Sequence, residues 1–374
     1  MRSPVTVADT AMLTLALFGG AGATAAVDSS SSTGVGTPLA HAVQADFEGL
    51  FASDIQLTQS TVTYGLTRGS FEINASASLN TFNLDYQPAA FDFLGFATAL
   101  DERRWAGALA GEAGLLPSLT LMVAGGLYDG FSDYRSLWLN EYYRQQYAAL
   151  PGYVAASPRG EQASGGVRWE YLPAVGFLQV DVSYFHDEIA PGYEIDFEGL
   201  RRGRPDLYTT AYRLVFENIL TRRVRMMNEF QLGDTTDREV RYSYQGSLNL
   251  ALGERWVVRV YGGYTEEAPT FTAWYFGGAA EFELAGGWLV GVSGRYYSDT
   301  GEIEDALFSS AAPGLEAWQI GLGVRRVWGS HAVKVHVAPY FTRYEPVGIG
   351  TAFFQHLYED RDWAIVQLAY TIEF

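Results

Sequence analysis

The stretch Asp362-Trp-Ala-Ile-Val-Gln-Leu-Ala-Tyr-Thr-Ile-Glu-Phe374 decides how the whole chain is read. Ala364, Val366, Leu368, Tyr370, Ile372 and Phe374 fall on one parity, while Trp363, Gln367, Thr371 and Glu373 lie largely on the other. Side chains alternate across a strand and recur every 3.6 residues on a helix, so this is a strand with one apolar face. Working back from it, the pattern repeats. In His331–Arg343, Val333, Val335, Val337 and Phe341 oppose Lys334, His336 and Thr342. In Gly287–Asp299, Trp288, Val290, Val292 and Tyr296 oppose Ser293, Arg295 and Asp299. In Val240–Leu252, Tyr242, Tyr244, Leu248 and Leu250 oppose Arg241, Ser243, Gln245, Ser247 and Asn249.

These segments run about 10–14 residues, whereas mean globular strands have about 5–6. A strand crossing a bilayer at a tilt needs about 9–11. Aromatic residues gather near the ends of the apolar faces, at Trp256, Tyr264, Trp274, Trp288, Tyr296, Trp318 and Trp328, as in the interfacial girdles of membrane barrels. Tight turns are expected near Thr67–Gly69, Leu116–Ser118, Leu172–Val175, Thr221–Arg222, Gly253–Glu254, Ala285–Gly286 and Gly329–Ser330. Longer, more acidic loops are expected near 87–102, 130–160, 188–206, 233–238, 265–270, 300–313 and 344–361. A soluble sandwich would have shorter strands and more uniform loops. A closed barrel is the one way a sheet satisfies its backbone in lipid. The fold class is therefore all-β, a transmembrane antiparallel β-barrel with short turns on one side and long loops on the other.

The terminal Phe374, preceded at two-residue steps by Ile372, Tyr370, Leu368 and Val366, resembles the C-terminal signature strand of Gram-negative outer-membrane β-barrel proteins. The resemblance covers about residues 42–374 and is to a porin-like architectural class. It implies an outer-membrane location, contact with outer-membrane lipid and lipopolysaccharide, and insertion by the barrel-assembly machinery through Tyr370, Ile372 and Phe374. A homotrimer is an expectation of that resemblance alone. Residues 1–26 read as an export signal, with an apolar core Ala11–Phe18 and a small-residue site at Ala23-Thr24-Ala25. Residues 27–42 read as a flexible leader and 43–374 as the barrel. Fifteen segments are found from Ile55 onward. An even count then requires an upward strand at Val43–Phe51, giving sixteen. Fourteen is the alternative, with residues 27–52 as a plug. The first two strands are the least regular, because Leu57 and Val62 fall on opposite parities.

Composition narrows the function. The 374 residues include no cysteine, which excludes disulfides, thiol catalysis and Cys-based zinc sites. The net charge of −18 argues against nucleic acid as a partner, since binding phosphates needs cations. Lys334 is the only lysine. The five histidines, His41, His186, His331, His336 and His356, lack the spacing of a helical metal site, and no GxSxG elbow or P-loop is present. No catalytic residues, metal or cofactor are assigned, and the chain is read as a non-enzyme.

With the apolar parity facing lipid, the opposite parity faces a lumen. Arg213, Arg225, Arg241 and Arg259 then lie on four consecutive strands, with Arg295 and Arg325 on two further on. They form either a basic wall that orients polar or anionic solutes, or a set of arginines paired with Glu217, Glu229 and Glu281 to hold the interior together. Residues Tyr134–Leu150 within the longest loop are expected to form a short helix, stopped at Pro151-Gly152. The loop is similar in position and length to the third loop of general diffusion porins, and by that likeness Asp133, Arg135, Glu141 and Arg144 would line a constriction. The other reading is an external cap or a subunit contact. The expected function is an outer-membrane channel for passive diffusion of small polar solutes. The alternatives are a non-conducting structural or adhesion barrel, and a 14-strand transporter of apolar compounds with an N-terminal plug.

Overall fold

The computed structural model describes residues 39–85, 99–130, 159–188, 193–196, 199–202, 207–236, 239–269, 271–303, 311–346 and 359–374. The expected export signal, most of the leader, and the constriction-loop residues Asp133, Arg135, Glu141 and Arg144 lie outside the described residues. So do His356 and the helix expected over Tyr134–Leu150.

The strands are β1 (Ala40–Phe51), β2 (Ile55–Arg68), β3 (Phe71–Asp85), β4 (Ala99–Leu116), β5 (Leu119–Asp129), β6 (Arg159–Leu172) and β7 (Gly176–Glu188). Two short strands, β8 (Tyr193–Asp196) and β9 (Gly199–Arg202), pair with each other. Then come β10 (Leu207–Thr221), β11 (Val224–Thr235), β12 (Arg241–Leu252), β13 (Trp256–Glu267), β14 (Phe271–Leu284) and β15 (Trp288–Asp299). A second short pair, β16 (Glu302–Ile303) and β17 (Ala311–Ala312), precedes β18 (Leu315–Trp328), β19 (His331–Tyr344) and β20 (Arg361–Glu373). Apart from the two short pairs, all strands join one closed antiparallel barrel of 16 strands, in which β20 returns to pair with β1.

The seam between β20 and β1 is continuous from Ala42 opposite Glu373 to Phe51 opposite Ala364. The backbone N–H of His41 donates to the Phe374 carbonyl at 3.0 Å, and the Phe374 N–H donates to the His41 carbonyl at 2.9 Å. Closure leaves no edge strand with unpaired N–H and C=O groups. The segment Val43–Phe51 is the body of a wall strand paired along both edges, so the 14-strand alternative with a plug there is overturned. The strand begins at Ala40, since Ala40–Ala42 pair with Gly65–Thr67 through backbone groups that need no apolar alternation.

Turns of two or three residues occupy all the expected places at one end of the barrel. At the other end, three connections are short: 52–54, 236–240 and 268–270. Two of the loops expected to be long are therefore trimmed, because β11 runs to Thr235 and β13 to Glu267. The expected loop at 87–102 is also shortened, because β4 begins at Ala99.

The wall has two chemically distinct faces. Outward residues are apolar and accessible: Trp105 is 62% exposed, Leu127 67% and Ile320 64%. Where β13 to β19 meet the short-turn end, Trp256, Trp288 and Trp328 stand on this face. The Arg326 guanidinium lies 4.9 Å from the Trp288 ring and 5.5 Å from the Trp328 ring. The inward parity, followed through the pairing registers from β10 to β18, carries Arg213, Arg225, Arg241, Arg259, Arg295 and Arg325.

One part of the interior departs from the expected polar lining. Near the long-loop end, Leu50, Ile55, Phe82, Leu84, Phe271, Tyr297, Leu315, Tyr340, Trp363 and Ile365 form an apolar cluster on the inward parity, partly backed by Leu57. This explains the parity conflict in the second strand. Leu57 faces inward opposite Phe82 and Leu50, whereas Val62 faces outward and is exposed.

Candidate functional site in the barrel interior

Charged residues come to the inner wall because consecutive strands present the same parity at each register. Arg213 on β10 is flanked by Asp181 on β7 and Gln231 on β11. Its Nη2 donates to Glu229 Oε2 at 2.8 Å and its Nη1 to Asp181 Oδ2 at 3.4 Å. Gln231 Nε2 donates to Glu229 Oε1 at 2.5 Å, and Gln179 Nε2 to Asp181 Oδ2 at 2.8 Å. Arg225 Nη2 lies 2.6 Å from Glu217 Oε1, and Arg168 Nη2 lies 3.8 Å from Glu217 Oε2. Arg241 donates through Nε and Nη2 to Glu267 Oε2, each at 2.7 Å. These partners are mostly removed from solvent, so each guanidinium offsets the cost of a carboxylate held away from water.

The other three arginines are arranged differently. Arg259 Nε donates to the neutral Asn249 Oδ1 at 2.7 Å. Arg295 lies 4.9 Å over the Tyr275 ring, with Tyr261, Tyr297 and Tyr340 also around it. Its Nε is buried without a hydrogen-bond partner. Arg325 stands directly opposite Lys334. Among the described residues no carboxylate forms an ion pair with Arg259, Arg295, Arg325 or Lys334. Glu281, expected as an arginine partner, stands opposite Val257 and Gly291 and is exposed.

The six arginines therefore divide by partner. Arg213, Arg225 and Arg241 belong to an ion-paired network across β6 to β13. Arg259, Arg295 and Arg325 lie on the sector β13 to β18, where they form no ion pair although Glu281 and Glu283 share the inward parity of β14. Sequence reading missed Glu267 as the partner of Arg241, because the pair Glu266-Glu267 was assigned to a loop. The two-residue steps Arg259, Tyr261, Gly263, Thr265, Glu267 carry the strand to that point and put Glu267 on the inward parity.

The histidines are separate. His186 faces outward, stacked on Tyr208 at 4.7 Å and with Nδ1 3.4 Å from Glu161. His331 Nδ1 is 2.8 Å from the Tyr370 hydroxyl. His41 stacks on Phe374 at 5.5 Å, so the terminal aromatic packs at the seam. Among the described histidines only His336 points inward, with Nε2 3.2 Å from Ser293 Oγ. Among the described residues no group of three or more His, Cys, Asp or Glu is placed to hold a metal.

The architecture is similar to that of CdiB from Acinetobacter baumannii, with a TM-score of 0.53 at 8% identity. The match covers 90% of this chain and 60% of that one, so this chain spans less than two thirds of its length. The fold is that of an outer-membrane β-barrel. A bacterial polysaccharide outer membrane secretin gives a TM-score of 0.49 at 10% identity, over 90% of this chain and 99% of that one. Pseudomonas aeruginosa OccK3 (OpdO) gives 0.42 at 11% identity, over 90% and 95%. No family model matches the sequence, and no curated protein matches it.

Proposed function

We propose that the protein is an outer-membrane channel of a Gram-negative bacterium, through which small polar solutes diffuse passively. The observation that carries this reading is the sidedness of the closed wall. Exposed apolar side chains face outward, and charged side chains with partial solvent access face inward. A sheet with this alternation is stable in lipid only when closed and lipid-covered. A barrel of about sixteen strands encloses more space than its own side chains fill, which leaves an aqueous path. The short turns then face the periplasm, together with both ends of the strand set, and the long connections face outside. The apolar inward cluster narrows the polar part of the lumen near the external mouth.

The test is single-channel recording of the refolded full chain in planar bilayers. Stable conductance steps with an ohmic current are expected. A folded, heat-modifiable barrel that gives no steps would turn the reading toward a non-conducting envelope protein.

A further inference from the structure

We propose that the inner wall formed by β13, β14, β15, β18 and β19 is a binding track for oxyanions, the carboxylate or phosphate groups of small permeating solutes. The proposal rests on the channel reading for its role in transport, and on side-chain geometry for the site itself. Four cations, Arg259, Arg295, Arg325 and Lys334, share this sector and form no ion pair among the described residues; Asp46 acts on Lys334 only at longer range. Elsewhere in the interior, Arg213, Arg225 and Arg241 are all neutralised by acids.

The floor between these cations is made of small residues. Arg259 faces Ala279, which faces Ser293, which in turn faces Gly321. One register step nearer the turns, Gly291 faces Gly323, and Gly323 faces His336. A Cβ on Gly321 would stand 2.2 Å from His336 Nε2 and 2.7 Å from Ser293 Oγ, so this surface has room only for hydrogen there. Ser293 and His336 thereby present a hydroxyl and an imidazole across a bare glycine. Arg295 Nε and His336 Nδ1 are both buried without hydrogen-bond partners, and Ser293, two residues before Arg295, lies 3.2 Å from His336 Nε2, so two unsatisfied polar groups flank this serine. Leaving such groups unmade is costly, and native structures usually satisfy them or reserve them for a ligand. Adjacent strands are spaced about 4.8 Å apart and residues about 3.4 Å along a strand, so Arg259 and Arg295, two strands and two residues apart, stand about 12 Å apart, while Arg325 lies about 20 Å nearer the turns than Arg295, opposite Lys334. The track thus has two stations, Arg259 with Arg295 and, nearer the turns, Arg325 with Lys334. The exposed Glu281 and Glu283 share the inward parity of β14, and Asp46 acts electrostatically on Lys334; these acids set a limit on how tightly an anion is held.

The test uses the full refolded chain and three variants: Arg259→Gln/Arg295→Gln/Arg325→Gln, Arg295→Gln alone, and Glu281→Gln. In a potassium chloride gradient the reversal potential of the wild type is expected to show chloride preference. The triple variant should lose that preference severalfold, and Glu281→Gln should strengthen it. Inorganic phosphate and acetate added to one side should each reduce chloride current, and Arg295→Gln should relieve the reduction. Phosphate acting alone would assign the track to phosphate groups, and acetate alone to carboxylates. A conducting channel whose selectivity and block are unchanged in the triple variant would overturn the track and leave the channel reading intact. If the barrel does not conduct, the track is read instead from the melting temperature in detergent. A rise with phosphate or acetate that Arg295→Gln abolishes supports the site, and no rise with either overturns it. Circular dichroism of each variant confirms that the barrel has formed.

Discussion

Arg361 and Asp54 lie 307 positions apart in the chain, yet one guanidinium grips one carboxylate. Arg361 Nε is 3.0 Å from both Asp54 oxygens, Nη2 is 2.7 Å from Oδ2, and Nη1 donates to the Glu359 carbonyl at 3.1 Å. Arg361 is only 5% exposed, and the Asp54 side chain 28%. The pair ties the start of β20 to the connection between β1 and β2, across the strand that closes the barrel. Removing one partner of a buried pair costs about 3–5 kcal/mol, and the partial exposure of Asp54 reduces that here. Arg361→Ala is expected to destabilise the barrel by about 2 kcal/mol, read as a lower urea midpoint in detergent or vesicles. Arg361→Lys should recover only part of the loss, because an ammonium cannot reproduce the forked contact. An unchanged midpoint in Arg361→Ala would remove the pair from the closure argument. Nothing in the sequence links these two residues. Their meeting follows from the closure of the barrel, which fixes partners at long separation.

At the scale of elements, the strands were legible because their outward parity is nearly uniform in chemistry, while the inward parity was not. Leu57 is apolar but faces inward, and Glu267 is acidic but lies within a strand. Composition by itself sends the first to lipid and the second to a loop. Both assignments fail because the interior is not a uniform solvent: it has an apolar zone and a paired-charge zone. The turns were readable from glycine, and their costs can be ranked. Gly287 and Gly253 both have positive φ, at 77° and 69°. A Cβ on Gly287 would stand 2.4 Å from the Val327 carbonyl oxygen, whereas one on Gly253 meets nothing within 4 Å. Gly253→Ala should therefore cost only the left-handed backbone penalty, about 1 kcal/mol. Gly287→Ala adds a clash with backbone that cannot rotate away, for a total of about 2–4 kcal/mol. Equilibrium unfolding of the two variants side by side checks the order. Equal losses would mean that the β14–β15 turn moves freely relative to β18.

For the whole molecule, the sidedness of the wall makes a sharper demand than the strand count. A register slip of one residue would exchange every lipid-facing side chain for a lumen-facing one. Val182 and Ser183 are neighbours near the middle of β7. Val182 is 43% exposed on the outer face, and Ser183 stands on the inner face opposite Ser164 and Ala211, both small. An arginine at Val182 must enter the hydrocarbon near its midplane, where such substitutions cost about 2–4 kcal/mol in membrane barrels. An arginine at Ser183 enters the lumen, where small neighbours leave it space and Asp181 offers a nearby carboxylate. Val182→Arg is expected to lower the folded fraction in lipid vesicles and to shift the urea midpoint strongly. Ser183→Arg should fold close to normally and move the reversal potential toward anions. In detergent micelles, which adapt their shape around a charge, the gap between the two variants should shrink. If both arginines fold alike in vesicles, the outer surface is not lipid-facing. The barrel would then be a closed sheet in water, and its exposed apolar belt would have to be covered by protein.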